Sequence, residues 1–201
     1  MKILITGCGR SGTGYMAKLF QAAGLDVGHE KEGLQGTSDW HAIGWPIAKL
    51  MQYDHIIHVW RDPLLCMRSL PDISDHSWKY ISNHIPVIEE EESTTIRAMY
   101  YWAIWNMWSY QLVQRYPRSF SVNVAEAGES APLVWLLQLY GDDIKGAFET
   151  VSQSYNTRGP YDQKVTWKQL REVHKELTGR MVVVRQILMG TEDADRAAAI
   201  F

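Results

Sequence analysis

Cysteine is scarce, with Cys8 and Cys66 the only two in 201 residues. That is too few for the disulfide framework of a small secreted domain, and both are expected as free thiols. None of the seven histidines sits beside cysteines or carboxylates in a ligand pattern, so no metal is expected. No apolar run approaches the roughly 20 residues that span a bilayer, and no basic leader with an apolar core opens the chain. The expectation is a cytoplasmic protein without membrane contact. Neither sign of charge dominates: 20 basic against 23 acidic residues leave a net −3. Bulk nucleic-acid binding is thereby disfavoured, and any basic surface should be local. With 46% hydrophobic residues, no repeat and no shift in composition, one domain spanning residues 1–201 can bury a full core.

What the chain does have is concentrated at its start. Ile3 to Ile5 reads as a short strand running into a turn that holds Gly7, Gly9, Gly12 and Gly14, after which Tyr15, Met16, Leu19 and Phe20 recur at helical spacing. A strand, a glycine loop and a helix N-terminus together present unobstructed backbone N–H groups and the positive end of a dipole, which suits an anion and above all a phosphate.

Three loops of this kind differ in chemistry. The triphosphatase loop G-x-x-x-x-G-K-[ST] needs a lysine after its second glycine, and here Thr13 follows Gly12. The dinucleotide fingerprint G-x-G-x-x-G is met in letter by Gly7, Gly9 and Gly12 and would imply an NAD(P)-dependent oxidoreductase. It also asks for an acid closing a second strand. Asp26 comes too early, and Glu30 has only Leu25 and Val27 before it to make that strand. In the third, a basic residue precedes Ser-Gly-Thr. Arg10, Ser11, Gly12 and Thr13 resemble the 5′-phosphosulfate loop of sulfotransferases that use 3′-phosphoadenosine 5′-phosphosulfate (PAPS). The arginine form is similar to the carbohydrate, tyrosylprotein and bacterial branches. Gly14 stands where many members have a second threonine.

A second segment carries the same resemblance. Ile56 to Trp60 reads as an apolar strand ending in Arg61-Asp62-Pro63, with Asp62 a candidate cap and Pro63 suited to a first helical turn. Ser69 follows Arg61 by eight residues. In sulfotransferases an arginine ending such a strand and a serine eight residues later hold the 3′-phosphate. A guanidinium is well made for that, since it forks onto phosphate oxygens with charge-assisted bonds.

The resemblance implies a three-layer α/β/α sandwich of the P-loop-like sulfotransferase fold, with four or five mainly parallel strands. It implies PAPS as donor, 3′-phosphoadenosine 5′-phosphate (PAP) as product, and a hydroxyl acceptor, or an amine, on a glycan, a small molecule or a protein tyrosine. Gly9, Arg10, Ser11, Gly12, Thr13, Gly14, Arg61 and Ser69 would bind the cofactor, with Arg10 and the N–H groups of residues 11–14 stabilising the charge that builds on the departing 5′-phosphate. Arg158, beside Gly159, would be a reduced form of the late basic loop. Glu30 lies twenty residues after Arg10 and would take the acceptor's proton; its neighbour His29 is the alternative, and His58, near the carboxyl end of its strand, is a third. A binding protein that kept the fold without catalysis is the non-enzyme alternative.

The rest of the chain supplies scaffold. Residues 36–46 read as a polar connection bearing Trp40 and Trp45, before an amphipathic stretch from Ile47 to Met51. Residues 71–93 read as an irregular excursion ending in the acidic run Glu89 to Glu92, over the acceptor site if the resemblance holds. Thr94 to Arg115 has the longest helical periodicity, with Trp102, Trp105 and Trp108 beside its apolar stripe as core. Ser119 to Ala125 alternates as a strand, and Ser130-Ala131-Pro132 opens a helix closed by Gly141. Thr166 to Leu177 reads as a helix, and residues 181–201 as a strand-like run with a polar tail.

Overall fold

The computed structural model describes residues 1–67, 69–70, 73–85, 88 and 93–151, together with 166, 168, 169, 171, 172 and 175. Arg158, the acidic run 89–92 and the stretch 181–201 lie outside the described residues.

The architecture is α/β. Five strands, β1 (Ile3–Thr6), β2 (Val27–His29), β3 (Gly36–Ser38), β4 (His55–Trp60) and β5 (Phe120–Asn123), form one sheet in the order β2-β3-β1-β4-β5. Every pairing is parallel. Parallel strands are buried on both faces and so read as continuous apolar runs. That is what Ile3-Leu4-Ile5 and Ile56-Ile57 display, each with no exposed surface.

Alternation divides those residues between two helical layers. Ile3, Ile5, Ile57 and Val59 face a core shared with α1 (Thr13–Ala22), α6 (Ala131–Tyr140) and α7 (Ile144–Thr150). Leu4 and Ile56 face the other way, against Leu50 of α2 (Ile47–Leu50) and Val113 of α5 (Thr94–Arg115). Each fully buried side chain of this size contributes about 1.5–3 kcal/mol. A third cluster, at the carboxyl end of the sheet, joins Cys8 to Cys66 of α3 (Pro63–Met67), Trp78 and Ile81 of α4 (Asp75–His84), and Tyr101 and Trp105 of α5.

Two elements depart from the sequence expectation. The stretch 71–93 is not wholly irregular: Ser74 accepts a hydrogen bond from the Ser77 N–H at 3.2 Å and caps α4. Trp78, Ile81 and Ile85 then recur at three and four and are buried. The connection 36–46 contains β3, whose Gly-Thr-Ser sequence carries no apolar signal; its place between β1 and β2 buries it regardless. Trp45 stacks on Tyr53 with ring centroids 6.4 Å apart and lies under the Lys49 ammonium at 3.1 Å. Trp105, with no exposed surface, makes the α5 tryptophan stripe a core feature as expected.

Gly36 opens β3 at φ +132°, and a Cβ there would collide with the backbone oxygen of Ile3. Gly36→Ala should therefore cost more than about 3 kcal/mol by urea unfolding. Gly128→Ala, where the new methyl would meet only Phe148 at 3.8 Å, should stay within about 0.5 kcal/mol.

Candidate functional site

The strand order creates a point of divergence. From β1 the chain crosses to β2 and β3 on one side, then passes back over β1 to β4 and β5 on the other. In open α/β sheets ligands bind in the crevice outside the carboxyl ends of the strands at such a switch. β1 and β4 are neighbours with Thr6 opposite His58, so the glycine loop and Arg61 leave the sheet side by side.

The loop is held from below. Gly7 passes so close to Val59 O that a Cβ would overlap it. The Gly9 N–H donates to the Tyr101 hydroxyl at 2.8 Å, and the Ser11 N–H bonds back to Cys8 O at 3.0 Å. The Cys66 thiol donates to Arg10 O at 3.6 Å and lies 3.9 Å from the Ser11 hydroxyl. Ser11 is thus fully buried, with its side chain toward α3 and its N–H already used. This narrows the expected set of anion donors. Met16 is the first residue of α1 to bond back, to Gly12 O at 3.0 Å, so the N–H groups of Thr13, Gly14 and Tyr15 precede the helical ladder. Gly12, at φ +107°, caps the helix without a side chain to cover them.

Burial pushes the Cys66 thiol up to about 12, with the Arg61 charge pulling the other way. Burial likewise raises Cys8 and Tyr101 well above their ordinary values. Both thiols are free and buried, which disfavours the thiolate, and Cys66 serves as a weak donor under the loop.

Arg61 is half-buried, within electrostatic reach of Cys66 and hence of the loop. Asp62 caps α3, its Oδ1 accepting from Leu64 N–H at 2.8 Å and Leu65 N–H at 3.2 Å, and Pro63 begins that helix. The Ser69 hydroxyl donates back to Cys66 O at 3.3 Å, so it is satisfied within its own turn.

Glu30 follows β2 and reaches the loop through Trp40. The Trp40 indole N–H donates to Glu30 Oε1 at 3.1 Å, and its ring lies 3.9 Å from where a Cβ on Gly9 would stand. His29 Nε2 is 3.9 Å from the same carboxylate oxygen. Three non-glycine residues among those described have positive φ, and two of them are Arg10 (+69°) and Glu30 (+54°). Such conformations persist where the surroundings over-determine them and cluster at functional sites.

His58 is brought near but is occupied. Asn106 Nδ2 donates to Trp102 O at 2.8 Å, which turns Asn106 Oδ1 toward His58 Nε2 at 3.1 Å. Nε2 therefore carries the proton, and Nδ1 accepts from the Ser121 hydroxyl at 3.1 Å. Both nitrogens are used, and burial lowers its pKa to about 4. The sequence reading missed the pair Asp39 and His41. Asp39 Oδ1 accepts from His41 Nδ1 and from the His41 backbone N–H, each at 2.8 Å. The imidazole stacks 3.7 Å from the Trp40 ring. An Asx turn over Asp39-Trp40-His41 was the available signal. Among the described residues no group of three or more His, Cys, Asp or Glu could hold a metal, and no helix is long and apolar enough to cross a membrane.

Tyr101→Phe leaves the Gly9 N–H without its partner and should cost about 1–3 kcal/mol in chemical denaturation. His58 gives a signed pH dependence. Its folded pKa lies below the unfolded value, so between about 6.5 and 4 the unfolded chain binds the extra proton and stability falls with pH. From pH 7 to 4.5 the parent should lose about 2–3 kcal/mol more than His58→Gln, measured by urea unfolding at both pH values.

No family model, no curated protein and no solved structure matches this chain.

Proposed function

We propose that the chain is a sulfotransferase that takes the sulfuryl group of PAPS and passes it in line to a hydroxyl, or an amine, of an acceptor. The observation that carries the reading concerns Arg10 and Glu30, since the loop of the first, at Gly9, and the side chain of the second both touch Trp40. Both have left-handed backbones, and one indole packs on the loop beside Arg10 while donating to the Glu30 carboxylate.

In this reading the α1 N-terminus and the Arg10 guanidinium receive the 5′-phosphate and take up the charge that builds on its bridging oxygen as the S–O bond to that oxygen breaks. Arg61 holds the 3′-phosphate, and fixing the donor at two points makes transfer effectively unimolecular once the acceptor is seated. Glu30 removes the acceptor proton as the new bond to sulfur forms. Its Oε1 is engaged by Trp40, which leaves Oε2 for that proton. The products are the sulfated acceptor and PAP.

The oxidoreductase alternative is the weaker one. A dinucleotide fold places its second strand beside the first, so that the acid at its end reaches the ribose. Here the strand beside β1 is β3, and the acid that follows it, Asp39, already accepts from the His41 ring and the His41 backbone N–H at 2.8 Å each. That reading also leaves Arg61 without a task.

Arg10→Ala should lower sulfuryl transfer from labelled PAPS across a panel of hydroxyl acceptors by about 10²–10³-fold, with a much smaller loss of PAP affinity by calorimetry. Arg61→Ala should do the reverse. Equal effects of the two changes would overturn the assignment of roles. Tight PAP binding by the parent, with no transfer to any acceptor, would favour a non-catalytic nucleotide-binding protein.

A further inference from the structure

Four large aromatic side chains are exposed among the described residues: Trp60, Tyr110, Trp135 and Tyr140. Tyr110 lies on α5 and Trp135 on α6. Tyr140 packs by His55, at the amino end of β4, with centroids 6.1 Å apart. Trp60 alone ends a strand at the edge where the glycine loop and Arg61 emerge, and it keeps 38% of its surface open. Its indole makes no hydrogen bond and no ring contact among the described residues. Trp40, Trp78 and Trp105, by contrast, are buried in the cluster below.

Alternation puts Trp60 on the same face of the sheet as Ile56 and His58, opposite Val59, and its register partner on β5 is Asn123. A nucleotide held by its 5′-phosphate beyond β1 and its 3′-phosphate beyond β4 must lay its ribose across the ends of those two strands. Its base then has two directions. Toward β3 it would meet Trp40, already engaged with Glu30 and the loop. Toward β5 it meets the open indole of Trp60.

We infer that Trp60 is the platform on which the purine ring of the bound nucleotide stacks, and so helps to select an adenine nucleotide over ligands that offer phosphates alone. The inference rests on the proposed function. Base–aromatic stacking is a general source of affinity because every base has a π-face, and an exposed indole offers the largest area for it.

The test compares the parent, Trp60→Ala and Trp60→Phe by calorimetry with two probes. One is PAP; the other is tetrahydrofuran 3,5-bisphosphate, which keeps both phosphates and lacks the base. Trp60→Ala should weaken PAP on the order of 10- to 100-fold and Trp60→Phe by less, while the abasic probe binds all three within about twofold. PAP should also quench a component of tryptophan fluorescence that Trp60→Phe lacks, a signature that does not depend on the Ala variant folding. Unchanged PAP affinity in Trp60→Ala, parallel losses for both probes, or equal quenching in parent and Trp60→Phe would overturn the stacking role alone. Failure of PAP to bind the parent would overturn the proposed function and this inference with it.

Discussion

The backbone of Gly7 runs so close to the carbonyl of Val59 that no side chain fits between them, and much of the structure follows from that approach. Because β1 and β4 lie side by side in parallel, the loop after one is forced against the strand that delivers Arg61. Tyr101 fixes the far side of the loop by accepting the Gly9 N–H, and Gly12 turns the chain into α1 where Val124 leaves no room for a Cβ. Glycine is required at these positions for space as much as for conformational freedom. At the start of α1 the N–H groups of Thr13, Gly14 and Tyr15 precede the helical ladder, next to the point where the sheet topology diverges.

Around this point the protein arranges aromatic groups in two roles. Below the loop, Trp40, Tyr101 and Trp105 form a buried brace. Trp105 donates to Trp40 O at 2.8 Å, so the indole that meets Glu30 is itself fixed by the long helix. Such a brace can hold a left-handed glutamate in place without covering its side chain, about half of which stays exposed. The second role is proposed for Trp60, whose surface is open at the same edge. The buried His58 and Asn106, with the half-buried Ser121, make a satisfied group near the sheet's end, where the imidazole serves the scaffold rather than the chemistry.

Much of the fold was legible because parallel strands and long helices leave strong patterns. Ile3-Leu4-Ile5, Ile56-Ile57 and the periodicity of residues 94–115 each declare their element. β3 was hidden because Gly-Thr-Ser is buried by position and not by hydrophobicity. α4 was hidden because it is short, lies between Pro71 and Pro86, and declares itself only through Trp78, Ile81 and Ile85. At the site, sequence spacing could pair Arg10 with Glu30 but could not show that one indole packs at Gly9 and donates to Glu30, since Trp40 lies ten residues from Glu30 and in a different element. Nor could it show that the Ser11 side chain points under the loop, because that depends on Cys66, which is far away in sequence. The motif names the residue types of a phosphate grip, and only packing says which of their donors remain free.

The central claim is that this crevice takes a nucleotide carrying phosphates at both its 3′ and 5′ positions. The most direct measurement is thermal unfolding of the full chain with PAP, with NAD and ATP in parallel. At a hundredfold excess over the dissociation constant, linkage gives about 2.7 kcal/mol, and hence about 5 to 10 °C for a chain of this size. The account predicts a shift of that order with PAP and little with the other two. A shift with NAD and none with PAP would contradict it, and would make the glycine fingerprint, not the pairing of Arg10 with Arg61, the meaningful signal.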